Sequence, residues 1–480
     1  MNNATLSFQH YVGGQYLSDT IDEIEVLNPA NGNSIGTVPD GGTALADKAV
    51  AAARAAQDAW AATPAVERGQ FLHRIADGVR KNAAHLARTI ALEQGKVLPL
   101  AEMETFVTAE YLDYMAEWAR RIEGEIVTSD RRGENIFMFR RPLGVVAGII
   151  PWNFPLFMVA RKVAPALVTG NTIVVKPSEE TPYSAYEFAK IVAEADLPTG
   201  VFNLVCGVGQ TVGTALVANP QVDLVSFTGS PAAGSAIMAN AAQNITKVSL
   251  ELGGKAPAIV LSDANLDIAI AALRGGKALN SGQACNCAER VYVERSIADE
   301  FTEKLSAAFD SIVSGDPLGD TPVEMGPLIN RAAVERLQTL ADDARSKGSE
   351  VMTGGSGVCH DNGFYFKPTV VAGTKPDMLV MQRELFGPMI LVDPVDDLDE
   401  AIARANDSEY GLTSSIFTNN LNAAMHAIGN LKYGETYVNR ENFEAIQGFH
   451  AGVRKSGIGG DDGKHGLYEF MHIQTAYIQS

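Results

Sequence analysis

The 480-residue chain reads as an α/β protein: two doubly wound α/β domains plus a β arm for oligomerisation. Three observations predict this. Between Gly144 and Lys255, short apolar strands alternate with longer helices. A second run of the same kind occupies 256 to about 445. Two β-rich stretches, 124–141 and the last apolar segment, belong to neither run.

In chain order, residues 44–61, 67–93 and 98–121 are Ala-rich with helical periodicity and read as surface helices. Then Glu125-Ile126-Val127-Thr128, a polar turn and Ile136-Phe137-Met138-Phe139 form a hairpin signal, placed so as to project from the body. Val145 to Ile150 is a buried parallel strand, stopped by Pro151-Trp152-Asn153-Phe154-Pro155, and a helix follows to about Leu167. The strand 172–175 stops at Lys176-Pro177-Ser178-Glu179; a helix over 183–195 leads to the strand 201–205. That strand runs into Cys206-Gly207-Val208-Gly209-Gln210-Thr211-Val212-Gly213. Leu224-Val225-Ser226-Phe227 with Thr228-Gly229-Ser230 opens another helix, and the strand 246–250 ends in Glu251-Leu252-Gly253-Gly254-Lys255. In the second run, strands fall near 258–261, 290–293 and 389–395.

Thr475-Ala476-Tyr477-Ile478 reads as a terminal strand left unpaired. An unpaired strand and a projecting hairpin each need a partner, which predicts an oligomer. The expected division is 1–122 with 143–251 as one domain, 252–457 as the second, and 123–142 with 458–480 as the arm.

Composition narrows the function. A hydrophobic share of 46% and a charged share of 20% are those of a soluble globular protein. The net charge of −19 weighs against nucleic acid, whose phosphates want a basic face. Residues 1–10 carry neither a basic nor an apolar leader segment, and no apolar run approaches the roughly 18 residues of a membrane span. Four cysteines do not make a disulfide framework, so the expected setting is the reducing cytoplasm, without membrane contact.

The chemistry is sought where ligands of open α/β sheets bind, beyond the carboxyl ends of the strands. Asn153, Lys176, Ser178, Glu179, Gly207, Gly209, Gly213, Ser230 and Glu251 all fall there. The glycine pattern is Gly-x-Gly-x-x-x-Gly, equally consistent with a tight strand–helix turn. Cys285 lies in Asn280-Ser281-Gly282-Gln283-Ala284-Cys285-Asn286-Cys287, among small and polar residues; a lone thiol is more often a core residue than a nucleophile. Cys285-x-Cys287 lacks zinc-site spacing, and neither Cys206 nor Cys359 with its neighbour His360 supplies further ligands, so no metal is expected. Cys287 is expected to pack, because residues two apart seldom reach disulfide geometry. Neither a Gly-x-Ser-x-Gly elbow nor a His-Glu-x-x-His helix is present.

Six segments together resemble the aldehyde dehydrogenase superfamily, in that family's order and over about residues 8–478. They are Pro151-Trp152-Asn153-Phe154-Pro155, Lys176-Pro177-Ser178-Glu179, Phe227-Thr228-Gly229-Ser230, Glu251-Leu252-Gly253-Gly254-Lys255, Gly282-Gln283-Ala284-Cys285 and Glu384-Leu385-Phe386-Gly387-Pro388. The resemblance implies that Cys285 attacks the aldehyde as thiolate, that Asn153 and the Cys285 N–H hold the oxyanion, and that Glu251 is the general base. It implies an NAD site in which Lys176 and Glu179 hold the adenosine ribose, the Glu179 carboxylate repelling the 2′-phosphate of NADP. Ser230 would meet the pyrophosphate and Glu384 the nicotinamide ribose, with Phe386 nearby. Ile150, Trp152, Ser178, Gly209, Gly213, Thr214, Phe227, Leu252 and Arg336 complete the expected cofactor set, Arg336 being equally readable as a surface residue.

Departures from the common family pattern bear on substrate. Phe449-His450-Ala451-Gly452 places an imidazole where an aromatic ring is usual, and Asn286 follows the nucleophile. With Arg161 and Glu444 they suggest a polar pocket for a small 2-hydroxyaldehyde such as lactaldehyde or glycolaldehyde. The alternatives are a semialdehyde dehydrogenase using Arg161 to hold a distal carboxylate, a broad-range enzyme, and an internal salt bridge for Arg161 or Glu444. An inactive binding protein is disfavoured by the intact Cys285, Glu251 and Asn153. The family further implies dimers or tetramers, and a homotetramer is expected.

Overall fold

The computed structural model describes residues 6–358 and 362–480; Cys359 and His360 lie outside the described residues. Two large sheets dominate. The first has eight strands, with five parallel ones at its centre. In space these run Lys247–Leu252, Leu224–Gly229, Val145–Ile149, Thr172–Lys176 and Phe202–Leu204. The order reverses between Val145–Ile149 and Leu224–Gly229, which makes a topological switch point there. His10–Val12 with Gln15–Leu17 extends one edge, and Gly457–Ile458 pairs antiparallel with Lys247–Leu252 at the other.

The second sheet has seven strands, six of them parallel: Thr369–Ala372, Met389–Val395, Arg290–Glu294, Pro257–Val260, Thr413–Phe417 and Glu435–Val438. Both central sheets read as continuous apolar runs because helices cover both faces. Separate apolar clusters accordingly fill the two sides of the first sheet. Three more pack around the second.

Two expectations change in detail. The helix expected over 67–93 is two helices, Ala65–Lys81 and Ala83–Gln94. They break at Asn82, whose side chain donates to the Gly78 carbonyl at 2.9 Å and competes with the helical ladder. The terminal strand is not unpaired. Met471–Gln479 lies antiparallel to Glu134–Pro142 over nine residues, and Glu125–Thr128 completes a three-stranded sheet. Hairpin and terminal strand therefore satisfy each other within one chain, leaving Ile126, Ile473, Tyr477 and Ile478 exposed on the arm. Among the described residues, no helix is long and apolar enough to cross a membrane.

Candidate active site

The strand ends at the switch point open into a cavity of about 680 Å³. Trp152, Asn153, Ser230, Glu251, Leu252, Cys285, Arg336, Glu384 and Phe386 all line it, although they are spread over 235 positions (386 − 152 + 1).

Local conformation puts Cys285 there. Asn280, Ser281 and Gly282 occupy three consecutive left-handed conformations, with φ of 47°, 57° and 69°. This reverses the chain after the helix Leu266–Ala278. Only glycine fits the third, because a Cβ on Gly282 would meet the Gly387 carbonyl oxygen at 2.2 Å. Side chains brace the reversal. Asn280 Nδ2 donates to the Asn153 carbonyl at 2.9 Å, and Asn153 Nδ2 donates to the Gln283 carbonyl at 3.1 Å. Lys96, fully buried and ion-paired with Glu104, donates to the same Asn153 carbonyl at 2.8 Å. Glu104 also accepts from the Leu156 and Phe157 N–H groups, capping the helix Pro155–Thr169. Cys287 packs as a free thiol, with Sγ 3.2 Å from the Ala284 carbonyl.

Around the thiol the charges are dense and buried. Cys285 Sγ lies 3.8 Å from His450 Nε2, and that nitrogen lies 3.3 Å from Glu251 Oε1. His450 Nδ1 is 2.6 Å from Glu435 Oε1. Burial and then the Glu251 charge push the Cys285 thiol pKa upward, against the pull of His450. Burial would lower the His450 pKa, but the Glu444 charge and the contacts with Cys285 and Glu251 hold it well above its ordinary value. Although burial opposes it, His450 and Arg161 keep Glu444 ionised down to about 2.

Three of the four expected substrate residues form one connected network, and His450 stands apart from it in hydrogen bonding. Asn286 Nδ2 donates to Glu444 Oε2 at 2.6 Å, and Arg161 reaches Glu444 Oε1 at 3.2 Å. Arg161 is fully buried and also holds Asp462, with Nε to Oδ1 at 2.9 Å. Its charge is thus taken up by internal carboxylates. Glu444 and Asp462 border a small cavity of about 40 Å³ with Phe154, Phe157 and Phe443.

The other expected cofactor residues lie apart from the large cavity's lining. Lys176 Nζ pairs with Glu179 Oε2 at 3.1 Å and lies close to Gly213, while a Cβ on Gly209 would meet only open space. Ser178 Oγ accepts from the Glu180 N–H at 3.2 Å, and Thr214 is exposed. Ile150 is buried and donates its N–H to the Lys176 carbonyl at 3.1 Å. Phe227, alternating with the lining residue Thr228, turns into the apolar cluster of Ile149, Ile237 and Leu250. Arg336 is no free surface group: it donates to the carbonyls of Glu384 and Phe386 and holds that loop. Glu384 accepts from the Gly254 N–H at 2.8 Å, and burial followed by the Glu289 charge raises its pKa to about 8.

Sequence reasoning missed Glu435, Glu289, Lys96 and Glu104. Glu289 pairs with Lys255 at 2.8 Å and accepts from the Leu385 and Phe386 N–H groups, so it shapes the Glu384 loop. Glu289, beside Arg290, and Lys96, after Glu93-Gln94-Gly95, stand in mixed polar surroundings that do not single them out. Glu435 gave no signal either.

A model of the aldehyde dehydrogenase family matches residues 16–476. The chain belongs to that family. It is an oxidoreductase that oxidises aldehydes. As an aldehyde dehydrogenase it is 55% identical to the lactaldehyde dehydrogenase of Escherichia coli K12 over 471 residues, 98% of each chain. A crystal structure of E. coli lactaldehyde dehydrogenase superposes with a TM-score of 0.97 at 55% identity, covering 99% of both chains. A betaine aldehyde dehydrogenase from Staphylococcus aureus, solved in complex with NAD+, gives a TM-score of 0.96 at 33% identity, covering 99% of this chain and 98% of that one.

Proposed function

We propose that this aldehyde dehydrogenase oxidises small 2-hydroxyaldehydes, lactaldehyde and glycolaldehyde among them, to their carboxylic acids with NAD. The observation that carries the reading is the buried polar network of Asn286, Glu444 and Arg161, together with His450 beside the Cys285 thiol. A substrate hydroxyl finds hydrogen-bonding groups there that an aldehyde lacking one cannot use. The likeness to E. coli lactaldehyde dehydrogenase supports the same choice. A distal carboxylate, by contrast, would meet an Arg161 already neutralised by Asp462 and Glu444.

The cavity beside Cys285 fits a dinucleotide: it opens at a topological switch point and reaches the N-terminus of the helix Pro231–Ala241 at Ser230. Ser230 and Glu384 on the cavity lining, with Lys176 and Glu179 outside it, would hold the cofactor, which supplies the hydride acceptor when bound. Glu179 favours NAD over NADP by charge. Cys285 Sγ attacks the carbonyl carbon, and its thiol proton passes to Glu251, whose carboxylate lies within 4.8 Å. The oxyanion is held by Asn153 Nδ2 and the Cys285 N–H. Glu251 passes that proton on to solvent, and once oxidation leaves a thioester on Cys285 its regenerated carboxylate draws a proton from the water that releases the acid. We place the enzyme in the cytoplasm as a homotetramer, assembled through the exposed apolar residues of the arm.

The test is NADH formation, followed by absorbance, with lactaldehyde, glycolaldehyde, propanal and succinic semialdehyde, each with NAD and NADP. The expected result is that both hydroxyaldehydes exceed propanal in kcat/KM by about tenfold, roughly 1.4 kcal/mol, with NAD preferred. A lead for propanal or succinic semialdehyde would sink the hydroxyaldehyde assignment.

A further inference from the structure

Three donors of different elements meet beside the cavity. Glu251, Cys285 and His450 each offer one atom, and those atoms lie within 4.8 Å of one another. Tetrahedral zinc, with bonds of about 2.3 Å to sulfur and about 2.0–2.1 Å to nitrogen and oxygen, separates sulfur from nitrogen by about 3.6 Å and nitrogen from oxygen by about 3.4 Å. The observed separations are 3.8 Å for Sγ to Nε2 and 3.3 Å for Nε2 to Oε1.

Two further features point to a cation. Both Glu251 carboxylate oxygens are buried and make no hydrogen bond among the described residues, His450 Nε2 at 3.3 Å from Oε1 being their one ion-pair neighbour there, an incompletely satisfied condition that metal ligation removes. His450 Nδ1 is engaged by Glu435 Oε1 at 2.6 Å, which leaves Nε2 directed at the thiol. A carboxylate on the far nitrogen is the usual support of a metal-bound histidine.

We propose that Glu251, Cys285 and His450 bind a borderline-soft divalent cation, Zn2+ in particular, and that its binding switches the enzyme off. Glu251 and Cys285 line the cavity, through which the ion and a water ligand would enter. Binding releases the thiol proton, and any proton on Nε2, to solvent. The consequence for activity rests on Cys285 being the nucleophile and Glu251 the base, since the ion occupies both; the binding itself does not. The site owes nothing to local spacing: its donors are 34 (285 − 251) and 165 (450 − 285) residues apart.

Cobalt tests it without turnover. Adding Co2+ to the enzyme without cofactor should produce a thiolate-to-cobalt charge-transfer band and strong visible bands of tetrahedral geometry. Zn2+ should displace the signal, and both Cys285→Ser and His450→Phe should abolish it. Zn2+ should also inhibit NADH formation, with recovery on chelation. In Glu435→Gln the Zn2+ concentration for half-inhibition should rise about tenfold. Absence of the cobalt band, or a band that survives His450→Phe, overturns the proposal. Should circular dichroism show His450→Phe unfolded, His450→Gln takes its place under the same criterion. A protein that oxidises none of the four aldehydes would sink the proposed function, while the cobalt spectrum still decides the site.

Discussion

At Cys285 two influences oppose each other. Burial and the Glu251 charge raise the thiol pKa, while His450 lowers it, and the rise prevails. The Cys285 thiol, the proposed nucleophile, therefore rests protonated. Since the thiolate is the reacting form, alkylation of Cys285 by iodoacetamide should climb steadily from about pH 6 to about pH 10. Mass spectrometry of the modified peptide separates this thiol from the buried Cys206 and Cys287. Replacing Glu251 by Gln removes a charge that disfavours the thiolate, so alkylation at neutral pH should become faster. Its aldehyde oxidation should fall by about 10²–10⁴-fold with the proposed general base gone. A slower alkylation in Glu251→Gln would reverse the electrostatic assignment. For Asn153→Ala, loss of the proposed oxyanion donor should lower kcat by about 10²–10³-fold, measured at saturating aldehyde. An unchanged kcat would place the oxyanion elsewhere.

Among the elements, the reversal at 280–282 sets the thiol's position. Gly282→Ala forces a Cβ against the Gly387 carbonyl at a left-handed φ, so chemical denaturation should show a loss of at least about 1–3 kcal/mol. A variant as stable as the parent would mean that the loop relaxes freely. Elements of this sort divide the legible from the illegible. The parallel strands and their polar ends were readable because apolar runs stop abruptly at Pro151, Lys176 and Glu251. The break at Asn82 was not, since Asn occurs within helices as well and its side-chain bond to Gly78 decides the matter. Nor was the pairing of Met471–Gln479 with Glu134–Pro142, because partners more than 300 residues apart leave no local trace. His450 was found as a departure from a family pattern, but its contacts were not: Glu435 comes from an unremarkable strand of the second sheet.

For the whole molecule, a cofactor that binds only the folded state stabilises it by RT ln(1 + [L]/Kd), about 2.7 kcal/mol at 100 times Kd. Thermal unfolding should therefore shift upward with NAD, and by less with NADP at equal concentration because of Glu179. An equal or larger shift with NADP would remove Glu179 as the discriminating charge. Arg161 and Lys162 make the two halves of the chain interdependent in another way. Lys162 is fully buried, and its ammonium rests on Asp461 at 2.6 Å. Losing a partner from such a pair costs about 3–5 kcal/mol, so Asp461→Asn should unfold at markedly lower denaturant concentration, whereas an unaltered midpoint would show the pair to be dispensable.

The first sheet borrows from the far end of the sequence. Its outer strand is Gly457–Ile458, the carboxylates that neutralise its central helix are Asp461 and Asp462, and Asn171 donates to the Phe470 carbonyl at 3.0 Å. During synthesis, then, the amino-terminal half emerges with two buried cations lacking counterions and one sheet edge bare. It has to wait for nearly two hundred residues of the second sheet to be made before it can close. A nascent chain of this design is most exposed to chaperones and proteases midway through translation, and a fragment ending at residue 251 should be recovered as an aggregate.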